Sequence, residues 1–478
     1  MHLNILIVAI ILLLCLLLNK ISSKLGIPML LAFILLGMVF GSDGIFKIYF
    51  DNYKIAEQVC SAALIFIMFY GGFGTNLKAA KPVAVKSLFL STLGVIFTAT
   101  LTGLFCYYVL HMHFLESMLL GSIISSTDAA SVFSILRSKK LNLKYNTASM
   151  LEIESGSNDP FSYMLTIIVL SLMTGDFSSG NLILMIFAQI AFGILVGFAT
   201  AAIGDAILSK HKFTTDGFDS IFVFALALIA FAGASVIGGN GYLSVYIAGI
   251  ILGDKPLNNK KALVHFFDGV TGLTQMLIFF LLGLLSFPSN LVEIWWISLA
   301  IALFLTFVAR PIAVFAILSP CRCSFKQKLL VSWAGLRGAA SIVFAIVAVA
   351  SPVPLENDIF HIVFFIVLFS ISIQGSLIGI ISKLLDMIDN DVDVMETFND
   401  YSDGDKMGFI ETTVDRKHKF YDKKINGIKL IADLEVALVM RKGVSLPPSN
   451  DLIIESGDTV ILSSLNLTDE IKQFVENL

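Results

Sequence analysis

Charge is what this chain has least of. Lys, Arg, Asp and Glu make up 14% of its 478 residues, against about a quarter in an ordinary soluble protein. A water-facing surface is therefore excluded over most of the length. Cysteine is also sparse: Cys15, Cys60, Cys106, Cys321 and Cys323 are an odd set lying mostly within apolar runs, which argues against a disulfide framework. Cys321 and Cys323 share a basic loop with no further Cys or His nearby, so a metal reading of the pair finds no support. There is no basic stripe with interleaved aromatics, and a net charge of −4 gives no sign of a nucleic-acid partner. No nucleophile–base or metal-ligand constellation suggests an enzyme, and none implies a bound cofactor. The first apolar run, residues 3–18, lacks a basic stretch before it and a small-residue cleavage pattern after it, so it reads as a spanning helix, not a cleaved signal peptide.

What the chain has in abundance is long apolar runs. Over half of it is hydrophobic, and stretches long enough to cross a ~30 Å hydrocarbon core recur. The pattern predicts an α-helical polytopic membrane protein embedded in lipid. Thirteen spans are expected, at 3–18, 28–42, 55–75, 87–110, 115–137, 147–174, 182–208, 219–237, 241–254, 262–287, 291–318, 329–351 and 359–384. The connecting charges alternate. Lys20 and Lys24 follow the first span, and Lys78, Lys81 and Lys86 the third. Arg137, Lys139, Lys140 and Lys144 follow the fifth, and Lys210 and Lys212 the seventh. Lys255, Lys260 and Lys261 follow the ninth, and Arg322, Lys326 and Lys328 the eleventh. The intervening loops hold only Lys47 and Lys54. Basic loops face the cytoplasm, which places the amino terminus outside and the carboxyl terminus in the cytoplasm. His111 and His113 then lie in an outer loop as a solvated face, and His361, opening the last span, is placed at the membrane interface.

Composition changes beyond the transmembrane domain, residues 1–385. Residues 386–406 hold eight acidic side chains and no basic one before Lys406, which reads as a solvated acidic linker. Residues 407–478 predict a small cytoplasmic α+β domain. Its strands are expected across Lys429 to Val439 and at Thr459-Val460-Ile461-Leu462, with turns at Pro447–Asn450 and Ser456–Asp458 and a closing helix near 467–478.

Within the sixth span lies Glu154-Ser155-Gly156-Ser157-Asn158-Asp159-Pro160. A charged side chain near a bilayer centre costs at least about 2.5–3.5 kcal/mol, so a cluster there points to a task. In a helix Glu154 and Asn158 share one face, as do Ser155 and Asp159. Pro160 lacks an amide hydrogen and frees the Gly156 carbonyl. Carboxylate, hydroxyl, amide and carbonyl oxygens together make a hard-cation site.

Two further polar breaks interrupt spans: Ser125–Ser131 in the fifth and Gly335–Ser341 in the twelfth. If spans 2–6 and 9–13 are five-helix repeats, an odd-numbered unit inverts its second copy and both breaks occupy one position in it. Broken helices at matching positions of two halves point to a transporter's midplane site. Half-helix ends need charge partners. Asp128 is assigned to the amino-terminal ends, by the alternative reading as a helix cap alone, and Arg337 to the carboxyl-terminal ends. Arg310, before Pro311, needs an anion, and Glu154 is assigned to it as a structural ion pair, leaving Asp159 to bind and release ions. Ser131 and Ser341 are read as helix–helix glue.

TDAASVFSILR, ESGSNDP and GLRGA together resemble the CPA1 family of monovalent cation:proton antiporters, in its NhaP/CvrA branch, over residues 1–385. The tail, with Leu430-Ile431-Ala432-Asp433-Leu434-Glu435-Val436 and ESGDTVIL, resembles the carboxyl-terminal module of RCK (TrkA) proteins, RCK_C. The first resemblance implies a homodimer in a bacterial inner membrane, with a mobile core carrying the ion. It implies a cation at Asp159, Asp128, Ser155 and the Thr127 backbone. Asn158 stands where electrogenic relatives have a second aspartate, which implies one-for-one, electroneutral exchange. The second resemblance implies potassium in preference to sodium and regulation by a small cytoplasmic ligand, such as a nucleotide. No Gly-rich half precedes the module, which speaks against dinucleotide binding, and the further cytoplasmic domain of some relatives is not expected. The resulting expectation is an antiporter in which H⁺ and K⁺ or Na⁺ compete for Asp159. The alternative is an RCK-gated cation channel, against which stands the lack of a carbonyl-lined filter loop.

Overall fold

The computed structural model describes residues 2–25, 28–75, 81–128, 131–132, 141–175, 179–210, 217–257, 260–389, 408–415, 418–428, 430, 434–441, 444–449 and 451–464. The chain divides into two compact units, Met1–Asn399 and Asp400–Leu478.

Among the described residues the first unit is predominantly helical. Its opening helices are α1 (His2–Leu25), α2 (Met29–Phe40), α3 (Tyr53–Phe73) and α4 (Ala84–Tyr108). Next come α5 (Phe114–Ile123), α6 (Thr147–Met173), α7 (Ser179–Lys210), α8 (Phe218–Val236), α9 (Gly241–Asp254) and α10 (Lys260–Leu285). Helix α11 (Pro288–Phe304) passes through a π turn at Leu305–Ala309 into α12 (Arg310–Leu318). Helices α13 (Phe325–Trp333) and α14 (Ala339–Ala350) are separated by an unwound stretch, and α15 (Ile359–Phe369) continues through a second π turn, Ser370–Gly375, into α16 (Ser376–Leu384).

Among the described residues, seven helical segments are long and apolar enough to cross a membrane, and five shorter apolar helices accompany them. Part of the difference from the thirteen expected spans has a physical reason. Helix α6 runs unbroken for 27 residues, about 40 Å, but carries Glu152, Glu154 and Asp159. Unwinding at 126–128 and 335–338 shortens the apolar pieces of two others. Pro160 is accommodated inside α6, and Phe and Leu side chains such as Phe33, Phe69, Phe267, Phe279 and Phe344 fill the core between helices.

The second unit is a four-stranded antiparallel sheet, in the order β1 (Gly408–Thr413), β4 (Thr459–Ser464), β2 (Leu434–Arg441), β3 (Val444–Leu446). A small core of Val414, Phe420, Leu434, Val439, Ile454, Val460 and Leu462 lies on it. Of the strand expected from Lys429, the part from Leu434 onward lies in β2; residues 429 and 431–433, the expected terminal helix and most of the acidic linker fall outside the described residues. Gly457, at φ 96°, forms the turn before β4.

Candidate functional site

Two unwound stretches meet. After α5 the chain is extended through Ser126, Thr127 and Asp128, and between α13 and α14 it is extended through Gly335 to Gly338. The backbone N–H of Asp128 donates to the carbonyl of Leu336 at 2.7 Å, and Arg337 Nη1 donates to the carbonyl of Ser126 at 2.5 Å. Arg337 is fully buried, 1% exposed. Its guanidinium therefore lies at the carboxyl-terminal end of the α5 half-helix, where unpaired carbonyls carry partial negative charge. Ser370, in the second π turn, accepts the other side of the contact: the Arg337 backbone N–H donates to Ser370 Oγ at 3.0 Å.

The Asp128 carboxylate turns the other way. Oδ1 accepts from the Ser131 backbone N–H at 3.2 Å and Oδ2 from Ser131 Oγ at 2.6 Å, a capping arrangement three residues on. Ser131, expected to bind a neighbouring helix, is instead engaged by its own segment. Ser341, one turn into α14, is buried with no hydrogen-bond partner among the described residues.

Helix α6 supplies the rest. Ser155 Oγ donates to the Thr127 carbonyl at 2.6 Å, and Asn158 grips the same residue twice: its Oδ1 accepts from Thr127 N at 3.3 Å and its Nδ2 donates to Thr127 Oγ1 at 2.6 Å. Ser126 Oγ donates to Asp159 Oδ1. Asp159 is 6% exposed, and among the described residues no basic side chain pairs with it. Thr127, Ser155, Asn158 and Asp159 thus converge in one place, with Asp128 one residue beyond Thr127. Glu154 is engaged elsewhere: its Oε1 lies 2.5 Å from Arg310 Nη2, both side chains buried. Among the described residues no group of three or more His, Cys, Asp or Glu could hold a multivalent metal ion.

Several participants carried no signal that sequence reasoning used. Ser126 sits within the polar break but is distinguished only by its contact with Asp159. Asn240 caps α9 through Leu243 N at 3.0 Å and reaches the Pro160 carbonyl at 2.8 Å. Glu116, buried in the first turn of α5, accepts from Glu356 N, Asn357 N and Asn357 Nδ2 across 240 residues of sequence or more. His361, in the first turn of α15, is 3% exposed and held between Asp358 and the Phe287 backbone. Its ring is drawn in because both ring nitrogens have protein partners there.

The sequence profile "Sodium/hydrogen exchanger, transmembrane" matches residues 9–384. The chain is 35% identical over 372 residues to the K(+)/H(+) antiporter NhaP2 of Shewanella sp. (strain MR-4), covering 77% of this chain and 64% of that protein. It is 36% identical over 385 residues to the K(+)/H(+) antiporter NhaP of Alkalimonas amylolytica, covering 80% and 67%. The chain therefore spans somewhat under two thirds of the length of the NhaP2 relative. Its structure resembles that of the sodium proton antiporter MjNhaP1 from Methanocaldococcus jannaschii, with a TM-score of 0.70 and 26% identity over 80% of this chain and 99% of that one. A helical membrane fold with two interlocked broken helices, matched by that profile over most of its length, has one placement: the chain belongs to the sodium/hydrogen exchanger family.

Proposed function

We propose that this protein exchanges one monovalent cation for one proton across a bacterial plasma membrane, with K⁺ preferred over Na⁺. The observation that carries the reading is Asp159: a carboxylate buried in mid-helix, beside the crossing of two broken helices, with a hydroxyl for a partner and, among the described residues, no cationic side chain. One carboxylate holds either a proton or a cation, so H⁺ and the cation compete for one group. Competition with access alternating between the two sides yields antiport from a single site. Thr127, Ser155 and Asn158 order the oxygens around the ion, and Asp128 and Arg337 hold the half-helix ends. The Glu154–Arg310 pair is structural. Asn158 adds no charge, which supports electroneutral, one-for-one exchange. The names of the K(+)/H(+) relatives support potassium, whereas the structural neighbour is a sodium antiporter.

Thirteen membrane crossings, an outer amino terminus and a homodimer complete the reading. The alternation of basic loops supports the orientation. The sheet unit after residue 407 is an RCK_C-like module that tunes the rate through a small cytoplasmic ligand.

The test uses proteoliposomes with an imposed pH gradient, K⁺ or Na⁺ added, and internal pH followed with the membrane potential clamped. Dissipation by K⁺, independent of voltage and lost in Asp159→Asn, is the expected result. Full exchange in Asp159→Asn overturns the mechanism. Exchange with Na⁺ alone overturns the substrate, and cation leak without proton movement makes the protein a channel.

A further inference from the structure

Helix α6 is fastened differently on its two sides. Towards α4, α5, α12 and α13 short polar contacts hold it along its length. Gln327 Nε2 donates to Thr147 Oγ1 and Ser87 Oγ to the Met150 carbonyl, each at 3.1 Å. Arg310 pairs with Glu154, and Ser162 Oγ donates to the Ser122 carbonyl at 2.6 Å. Towards α9 the contacts are largely ring surfaces. Tyr246 lies over Gly156, and Tyr163 meets Tyr242 edge-on with ring centroids 4.9 Å apart. The Ser157 and Tyr246 hydroxyls are 3.4 Å from one another. Apolar contact is non-directional, so this side of α6 tolerates displacement, whereas a hydrogen bond weakens steeply away from its preferred geometry.

A short hydrogen bond nevertheless crosses to α9, beside the ion site. Asn240 Nδ2 donates to the carbonyl of Pro160 at 2.8 Å, and Pro160, the middle residue of α6, directly follows Asp159. Asn240 is 3% exposed and is fixed by its own surroundings. Its backbone N–H donates to the Gln189 carbonyl of α7 at 2.9 Å, and its Oδ1 accepts from Leu243 N as the cap of α9. A backbone N–H only donates and a carbonyl only accepts, so the partners settle which way the amide points. Asn240 is thus anchored to α7 and α9 while its free end reaches the helix that carries Asp159.

We propose that Asn240 is a positioning residue for exchange: its bond to the Pro160 carbonyl latches α6 to α9 in the conformation described here and breaks when the site turns to the other face of the membrane. The proposal rests on Asp159 exchanging ions by alternating access. Displacement at this side of α6 leaves the bonds of Ser155, Asn158 and Asp159 to Ser126 and Thr127 intact, so the ion site can stay assembled. A hydrogen bond made in one conformation and absent from the other changes the ratio of their populations, by about fivefold for a bond of ordinary net strength.

Ser caps a helix as well as Asn does but is too short to reach the Pro160 carbonyl, so Asn240→Ser keeps the cap and removes the latch. The experiment measures the half-saturating K⁺ or Na⁺ concentration from each face, in everted and right-side-out vesicles, by dissipation of a pH gradient. Apparent affinity at a face scales with the fraction of protein open to it. Asn240→Ser therefore raises the half-saturating concentration at one face and lowers it at the other, and the ratio of the two moves by about fivefold. The face at which it rises is the one to which the latched conformation opens. Asn240→Thr, which also caps α9 without an amide, moves the ratio in the same direction. An unchanged ratio in folded variants, or equal shifts at both faces, overturns the proposal while leaving Asp159 in its role. Failure of both variants to fold makes Asn240 a structural tie and overturns it as well. A wild-type protein that exchanges nothing overturns the reading on which the proposal stands, and the proposal with it.

Discussion

The Asp128 carboxylate fills the space that a side chain at Gly338 would need. A Cβ built on Gly338 would collide with Cβ, Cγ and Oδ2 of Asp128. Gly338 is also the residue that opens α14, as Asp128 opens the segment containing Ser131. One carboxylate thus lies against the starts of two half-helices, whose unpaired N–H groups carry partial positive charge. The crossing closes only because the second helix begins with glycine.

Gly338→Ala therefore separates the two breaks. Overpacking of this kind costs about 1–3 kcal/mol, and here the obstructing atoms belong to a capping carboxylate that has little room to yield. Purified Gly338→Ala is expected to melt at lower temperature and to lose most exchange activity in proteoliposomes. Wild-type melting and exchange in this variant would show that Asp128 is free to move aside.

The Glu154–Arg310 contact makes a different prediction. It is a single close approach, and Glu154 Oε2 and Arg310 Nε have no hydrogen-bond partner among the described residues. Removing one member strands the other in a dry core, at a cost of about 3–5 kcal/mol. Glu154→Gln should destabilise the protein strongly. Pairing it with Arg310→Met should recover much of the loss, because the pair is replaced and no charge is left behind. Thermal melts of the two single variants and the double variant measure the coupling. Additive losses would mean that the two side chains act independently.

What could be read before folding, and what could not, follows from where the energetic penalty lies. Asp128, Glu154, Asp159, Arg310 and Arg337 stand out because each sits inside an apolar run, where an ionised side chain must have a reason. Their meeting places are a matter of topology: Arg337 reaches the Ser126 carbonyl across 211 residues. Glu116 gave no such signal. It lies at a helix start near polar neighbours, an ordinary place for an acid, and only the fold brings Glu356 and Asn357 to it. The close packing of Tyr246 in α9 over Gly156 of α6 was hidden for the converse reason, since one aromatic in an apolar helix gives no sign of the glycine beneath it. The sheet unit was legible through its alternating strands, although the register of β2 against β4, with its irregularity between Val436 and Leu438, is something no local pattern reports.

His361 shows how a buried histidine can be read from its partners. The Phe287 backbone N–H donates to Nε2 at 3.0 Å, and a backbone N–H can only donate, so Nε2 is unprotonated. The ring proton is on Nδ1, facing Asp358 Oδ2 at 2.7 Å. Phe287 precedes Pro288, the first residue of α11, so the ring fastens the α10–α11 connection to the start of α15. His361→Leu leaves the Phe287 N–H without its acceptor, a loss of about 1–3 kcal/mol. A lower melting temperature is expected, together with faster amide exchange at Phe287. Unchanged protection at Phe287 would show that the histidine does not hold this connection.

The sheet unit has its own dependence on pH. Asp458 is buried beneath Arg441, whose Nε and Nη2 lie 2.9 and 2.8 Å from its two oxygens, and that contact holds its carboxyl below the usual range. A carboxyl lowered on folding contributes stability above its unfolded value, near 3.9, and loses it as pH falls through the folded value. His418 adds to the same trend at higher pH. Burial lowers its pKa, so the unfolded chain binds more protons, and stability begins to fall as pH drops below about 6.5. Both groups therefore weaken the sheet in acid, His418 first and Asp458 later. Hydrogen exchange of the amides of β2 and β4 in the full-length protein should accelerate, after correction for intrinsic rates, in two steps as pH falls from 7 to 3. His418→Phe should remove the upper step and Asp458→Asn the lower. A pH-independent protection pattern in the wild type would mean that neither side chain couples to the stability of this unit.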